Sequence, residues 1–139
     1  APALSADETA TTSQISAPAD SVFATMTAAW RAEDEKVLAG LVHPDGLRVT
    51  HGGDYDRFTI YSPDQAFYYF QDLFRSRTTT EFKFRRLTDD VERGQSLAMV
   101  EWQYLLPGRK ISDEIKLVVV LTLKDRQWRM AQLNSISQR

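Results

Sequence analysis

From Glu81 to the end of the chain, apolar and polar residues alternate almost without a break. The pattern is interrupted only at Gly94, Pro107-Gly108 and Asp125-Arg126. Alternation of period two is the mark of a strand with one face buried. Four long segments result: 81–92, 95–106, 111–124 and 127–137. The connections are too short for a crossover, so each neighbouring pair is expected to form an antiparallel hairpin. Such a meander has a whole face to bury, and the first 80 residues must supply its cover.

They do so with helical patterns. After an entry at Pro18-Ala19-Asp20, the residues Val22, Phe23, Met26, Ala29 and Trp30 recur at spacings of three and four, giving one apolar stripe. Glu33-Asp34-Glu35 opens a second, short helix, where acidic groups suit the positive end of the helix dipole. Its buried side is Val37, Leu38, Leu41 and Val42. Pro44 and Gly46 stop it. Leu47 to His51 alternates as a strand, and Arg57 to Tyr61 reads as a short one. Ser62-Pro63-Asp64-Gln65 is a helix start, with Ser62 as cap, Pro63 at the first turn and Gln65 closing a capping box. Ala66, Phe67, Phe70, Leu73 and Phe74 then predict a long buried helix ending within 75–78.

Hairpin geometry fixes which side chains share a face. Two-residue loops at Pro107-Gly108 and Asp125-Arg126 place Val100, Trp102, Tyr104, Ile111, Ile115, Leu117, Val119, Leu121, Leu123, Trp128, Met130 and Ile136 on one face, the expected core. Asp113, Gln132 and Asn134 fall on the same face. Polar groups there need partners, water or a ligand, since burying one unpaired costs about 1–3 kcal/mol, so a cavity is expected beside them. In the first hairpin, simple pairing around Arg93-Gly94 would leave Phe82 and Phe84 in solvent. A β-bulge near Arg85-Arg86 would return both to the core beside Leu87. The opposite face carries Leu97, Met99, Leu105, Val118, Val120, Ala131 and Leu133, an apolar patch that predicts a homodimer through the sheet.

Composition narrows the classes. Among 139 residues there is no cysteine, which excludes disulfide scaffolds, thiolate metal sites and cysteine nucleophiles. The net charge of −2 gives no reason to expect nucleic acid as a partner. The longest apolar run, Leu117 to Leu121, is too short for a membrane span. Residues 1–17 are rich in Ala, Ser, Thr and Pro and are expected to be a disordered tail, leaving one domain over 18–139. A start at Ala1 rather than Met is read as export with removal of a signal, which predicts an extracytoplasmic (periplasmic or secreted) protein, with a cytoplasmic one as the alternative.

The order of two helices, a strand, a long helix and a four-stranded meander resembles the nuclear transport factor 2-like superfamily, the cystatin-like cone. That group includes ketosteroid isomerase, scytalone dehydratase and polyketide cyclases. The stretch Tyr61-Ser62-Pro63-Asp64-Gln65-Ala66, with Asp72-Leu73-Phe74 and Phe82-Lys83-Phe84, is similar to a bacterial branch of small exported proteins of unknown function. The resemblance covers Ala19 to the end. It implies an α+β fold in which a strongly bent antiparallel sheet wraps a long helix around a deep pocket, and it implies frequent dimers. None of the catalytic members' full motifs maps onto this chain.

Asp113 is the strongest candidate for chemistry, because a carboxyl in an apolar cavity beside Trp102 would have a raised pKa and suit acid/base work. Its alternative is a rim position paired with Arg109, Lys110 or water. His51 is either a pocket acid/base or a strand-end histidine. Gln132 and Asn134 read as ligand hydrogen-bonders, and Tyr55, Tyr68, Tyr69 and Tyr104 as hydrogen-bond donors or packing aromatics. Trp30, Trp102 and Trp128 read as core or cavity wall. Two separated histidines make a poor metal site, so no metal and no cofactor is expected. Arg75, Arg77, Lys83, Arg85, Arg86 and Arg93 read as a solvated basic edge. The sequence therefore predicts a module that binds a small apolar molecule or supports an assembly. The alternative is an isomerase, dehydratase or cyclase with Asp113 as base and His51 or Tyr104 assisting.

Overall fold

The computed structural model describes residues 19–51, 54–90 and 92–136, and the side chains of all these except 51, 54 and 55. The tail over 1–17, the Gly52-Gly53 loop and the side chains of His51 and Tyr55 lie outside the described residues. Helix α1 runs over 19–31, α2 over Glu35–Gly40 and α3 over Pro63–Ser76. Six strands follow the order β1 Leu47–His51, β2 Asp54–Tyr61, β3 Thr78–Asp90, β4 Gln95–Leu105, β5 Asp113–Lys124 and β6 Gln127–Ile136. They form one sheet in the spatial order β2-β1-β6-β5-β4-β3. All neighbours are antiparallel except β1 and β6, which pair in parallel across the chain's two halves.

The local signals are realised. The Ser62 hydroxyl accepts from Gln65 N at 3.2 Å and Gln65 Oε1 accepts from Ser62 N at 2.9 Å, the two halves of the capping box. Asp34 caps α2, its carboxylate accepting from Val37 N at 3.1 Å. The β5–β6 turn holds Asp125 and Arg126 both at positive φ, as a twisted two-residue hairpin requires. Gly46 sits at φ +114°, where a Cβ would stand 2.8 Å from Ile60 Cγ2 and 3.1 Å from Tyr61 O, so only glycine fits between α2 and the end of β2.

Helices α1 and α3 cover the concave face. Trp30, fully buried, is the hub. Its ring lies 5.1 Å from Phe82, 5.2 Å from Trp102, 5.7 Å from Phe70 and 5.8 Å from Phe74. Phe23, Met26, Leu38, Leu47, Val100, Val119, Leu121 and Met130 complete this core. Val37, expected on the buried side of α2, is instead exposed.

Three irregularities separate the observed facing from the expected one. In the first hairpin the bulge is present but falls at Leu87, between Arg86 and Thr88. Phe82 and Phe84 face the core as expected, while Leu87 itself is exposed. The β4–β5 connection is longer than two residues: Tyr104 pairs with Asp113 and Trp102 with Ile115. The register is displaced by two, which keeps Ile115, Leu117 and Val119 inward. However, Ile111 drops out of the sheet, 83% exposed, and Asp113 becomes the exposed first residue of β5.

The third irregularity reverses a prediction. Val120 pairs with Gln132 and Leu121 with Met130, leaving Ala131 as a bulge. One extra residue flips every side chain beyond it. Leu133 and Ser135 therefore turn inward with Val119 and Leu117, while Gln132, Asn134 and Ile136 turn to the convex face with Val120, Val118 and Lys116. Gln132 and Asn134 are thus not core-face interlopers, and Leu133 is no part of the outer patch. The cause lies at the other edge of β6. Met130 exchanges backbone hydrogen bonds with Leu41 and His43, at 2.7 and 2.8 Å, while residues 132–134 pair with β1. The strand changes partner at Ala131 and kinks there.

Candidate functional site

The bend leaves a cavity of about 320 Å³ between α3 and the concave face. Trp30 at the end of α1 and Tyr69, Leu73 and Arg77 along α3 form one wall. Val49 and Thr50 of β1, Trp102 of β4, Ile115 and Leu117 of β5, and Leu133 and Ser135 of β6 form the other. Residues 69, 73 and 77 stand four apart, hence on one stripe of the helix and its cap. The same three also line an open groove of about 510 Å³ between β2 and α3, with Thr59, Tyr61, Gln65, Tyr68, Asp72 and Ser76. The groove and the cavity thus adjoin along these three residues.

The walls are mostly apolar and aromatic, as in small-molecule sites. The polar groups divide into those already engaged and those not. Trp102 Nε1 donates to Thr79 Oγ1 at 2.9 Å, and Ser135 Oγ donates to Thr50 O at 3.3 Å. The indole N–H of Trp30 is buried without an acceptor. The Tyr69 ring stacks on Tyr61 at 4.8 Å. Burial, reinforced by Tyr61 and opposed by Arg77, pushes the Tyr69 hydroxyl up to about 12, so it stays a neutral donor. Arg77 donates to Ser76 Oγ at 3.1 Å and its guanidinium lies 5.2 Å from the Tyr104 ring centroid.

Of the residues singled out from sequence, the structure brings Trp30 and Trp102 to the cavity. Tyr104 stands beside it, 4.7 Å from Trp102 ring to ring. Trp128 is buried opposite Leu123 and does not line it. Gln132 and Asn134 lie on the convex face, where Asn134 Nδ2 donates to Gln132 Oε1 at 3.0 Å. Asp113 is exposed at the sheet end, so the apolar surroundings expected for it are absent. Arg77 and Ser135 were not recognised as wall residues. The four-residue step from Tyr69 through Leu73 was the available signal for Arg77, while Ser135 depends on the bulge at Ala131. Among the described residues no three of His, Asp or Glu gather as a metal site would require.

The remaining basic residues are divided between surface and core. Arg75, Lys83 and Arg93 pair with Asp72, Glu81 and Asp90 in exposed contacts. Arg86 instead turns inward, lying 5.0 Å from the Phe23 ring and pairing with Asp20 and Asp89. It also donates to the buried Ser96 hydroxyl at 2.8 Å, and Ser96 donates to Asp89.

No protein-family model and no curated protein matches the sequence. Solved structures do match in shape. A DUF4783 family protein from Bacteroides uniformis superposes with a TM-score of 0.66 at 7% identity, covering 83% of this chain and 95% of that one. A ketosteroid isomerase-like protein from Erwinia carotovora atroseptica gives 0.65 at 8% identity, covering 86% and 93%. A domain of unknown function with a cystatin-like fold from Nostoc punctiforme gives 0.61 at 15%, covering 86% and 74%. The chain therefore has the nuclear transport factor 2-like, cystatin-like α+β cone fold expected from its element order.

Proposed function

We propose that this protein binds a small, largely apolar molecule in the cone cavity and that it does so without catalysis. The observation that carries the reading is the cavity itself: about 320 Å³ of space walled by Trp30, Trp102, Leu117 and Leu133. A cavity of this size admits a ligand of about ten water-sized groups. The alternative of an isomerase- or dehydratase-like enzyme with Asp113 as base gains no support from the geometry, because Asp113 lies exposed and outside the cavity wall.

The test uses the two cavity tryptophans as reporters. Titration with the neutral aromatic 1-naphthylacetamide should change their fluorescence saturably. Leu117→Trp, which fills the space, should abolish the response while the far-ultraviolet dichroism is retained. A response that never saturates, or one that Leu117→Trp leaves intact, overturns the reading.

The same reading includes a homodimer through the convex face. Leu97, Met99, Val118 and Val120 form its belt across β4 and β5, extended by exposed Phe58 and Ile60 on β2. Asn134 Oδ1, buried without a donor, sits in the same row as Val118 and Met99. Lys116 and Lys83 alternate with Glu101 and Glu114 beside the belt, charges that a two-fold axis can match. Sedimentation should show a dimer that Leu97→Asp converts to a monomer. A monomeric wild-type protein at high concentration would reject this part.

A further inference from the structure

Among the described residues, three side chains of the cavity, Arg77, Tyr69 and Trp30, offer hydrogen-bond donors that no carboxylate or carbonyl takes up. Arg77 leaves α3 in extended backbone, φ −142° and ψ 129°, at the point where the chain turns into β3. Its half-buried guanidinium has Ser76 Oγ and the Tyr104 ring as neighbours, and among the described residues no carboxylate forms an ion pair with it. Guanidinium carries five N–H donors and accepts nothing. The Tyr69 hydroxyl is held protonated, and the Trp30 indole N–H, fully buried, has no acceptor. Among the described residues no Asp or Glu lines the inner cavity. Such a set asks for a ligand that brings acceptors and negative charge. A carboxylate has two acceptor oxygens and no donor, and it matches the planar fork of arginine.

We propose that the ligand is an amphipathic organic anion, a monocarboxylate on an aromatic or alicyclic body. Its carboxylate meets Arg77 and the Tyr69 hydroxyl, and its body lies between Trp30, Trp102, Leu117 and Leu133. This rests on the binding reading above and adds the chemical class. The shape of the site agrees with it. Arg77 and Tyr69 line both the outer groove and the inner cavity, so the charged end faces the groove while the apolar body lies in the cavity.

The experiment compares 1-naphthylacetate with 1-naphthylacetamide, which share the ring system and differ in charge, on the full chain. The acid should bind about tenfold tighter than the amide. Arg77→Gln should remove that gap, and Tyr69→Phe should weaken the acid by about fivefold. Should Arg77→Gln fail to fold, Arg77→Lys decides. Loss of the planar fork should lower the acid's affinity about threefold more than the amide's, and an equal loss for both probes overturns the proposal. Equal affinity of acid and amide for the wild-type protein also overturns it, while leaving the cavity as a neutral binding site. Saturable binding of neither probe overturns the binding reading itself.

Discussion

Arg77 and Arg86 come from the same basic stretch, both are half-buried, and each lies close to an aromatic ring, Tyr104 for one and Phe23 for the other. Their surroundings differ in one respect. Arg86 reaches the closed end of the cone, where α1 packs down, and meets Asp20, Asp89 and Ser96. Arg77 reaches the open end, where α3 and the sheet diverge, and meets a hydroxyl and a ring. A charge taken partly out of water is retained when other groups in the protein hold it, or when the site is built for something that arrives later. The closed end illustrates the first case and the open end the second.

The largest expected effect tests that contrast directly. Arg86→Met breaks the pairs with Asp20 and Asp89, the hydrogen bond to Ser96 and the contact with the Phe23 ring, and together these should cost about 2–4 kcal/mol of stability in urea unfolding. Arg77→Met at the open end breaks no ion pair among the described residues and should fall within about 1 kcal/mol of wild type, while losing the carboxylate probe. Equal losses for the two variants would erase the distinction between the ends.

The sequence carried the closed end well and the open end poorly, for a physical reason. Periodicity shows which residues are apolar and how they are spaced, so Phe23, Phe70, Val100 and Met130 could be assigned to the core from local pattern alone. The capping box at Ser62 and the need for a bulge after Phe84 were also local. The cavity wall depends on where β6 switches partner from the segment at 41–43 to β1, a long-range event. The resulting bulge at Ala131 moved Leu133 and Ser135 in and Gln132 and Asn134 out. Nothing near Ala131 in the sequence announces it. The extra length of the 106–112 connection likewise set Asp113 at the sheet end, beyond what Pro107-Gly108 alone indicated.

The second test concerns Tyr69 at the open end. The folded protein holds this proton up to about 12, against 10.0 for an ordinary tyrosine. Between those values the native state binds more protons than the unfolded one, so stability falls as pH rises through the window. The contribution is fully present below pH 10 and amounts to about 2 kcal/mol. Tyr69→Phe should remove this part of the alkaline slope, measured as unfolding free energy against pH. A slope that persists unchanged would mean that the Tyr69 hydroxyl is well hydrated, and would weaken its assignment as a donor for the ligand.

The smallest effect belongs to the closed end and has the opposite sign. Burial works against the charged form of Asp89, but the Ser96 hydroxyl and the Arg86 guanidinium overcome it and hold the carboxyl below its usual value. A depressed carboxylate stabilises the fold above the unfolded pKa of about 3.9, and this is lost as pH falls through the native value. With the side chain 33% exposed, solvent screening limits the contribution to about 1 kcal/mol or less. Asp89→Asn should therefore flatten the acid limb of the stability profile, measured as unfolding free energy against pH. If Asp89→Asn left the acid limb unchanged, Ser96 and Arg86 would not be holding the Asp89 carboxylate, and the division of the cone into an ion-paired end and a donor-rich end would lose its basis.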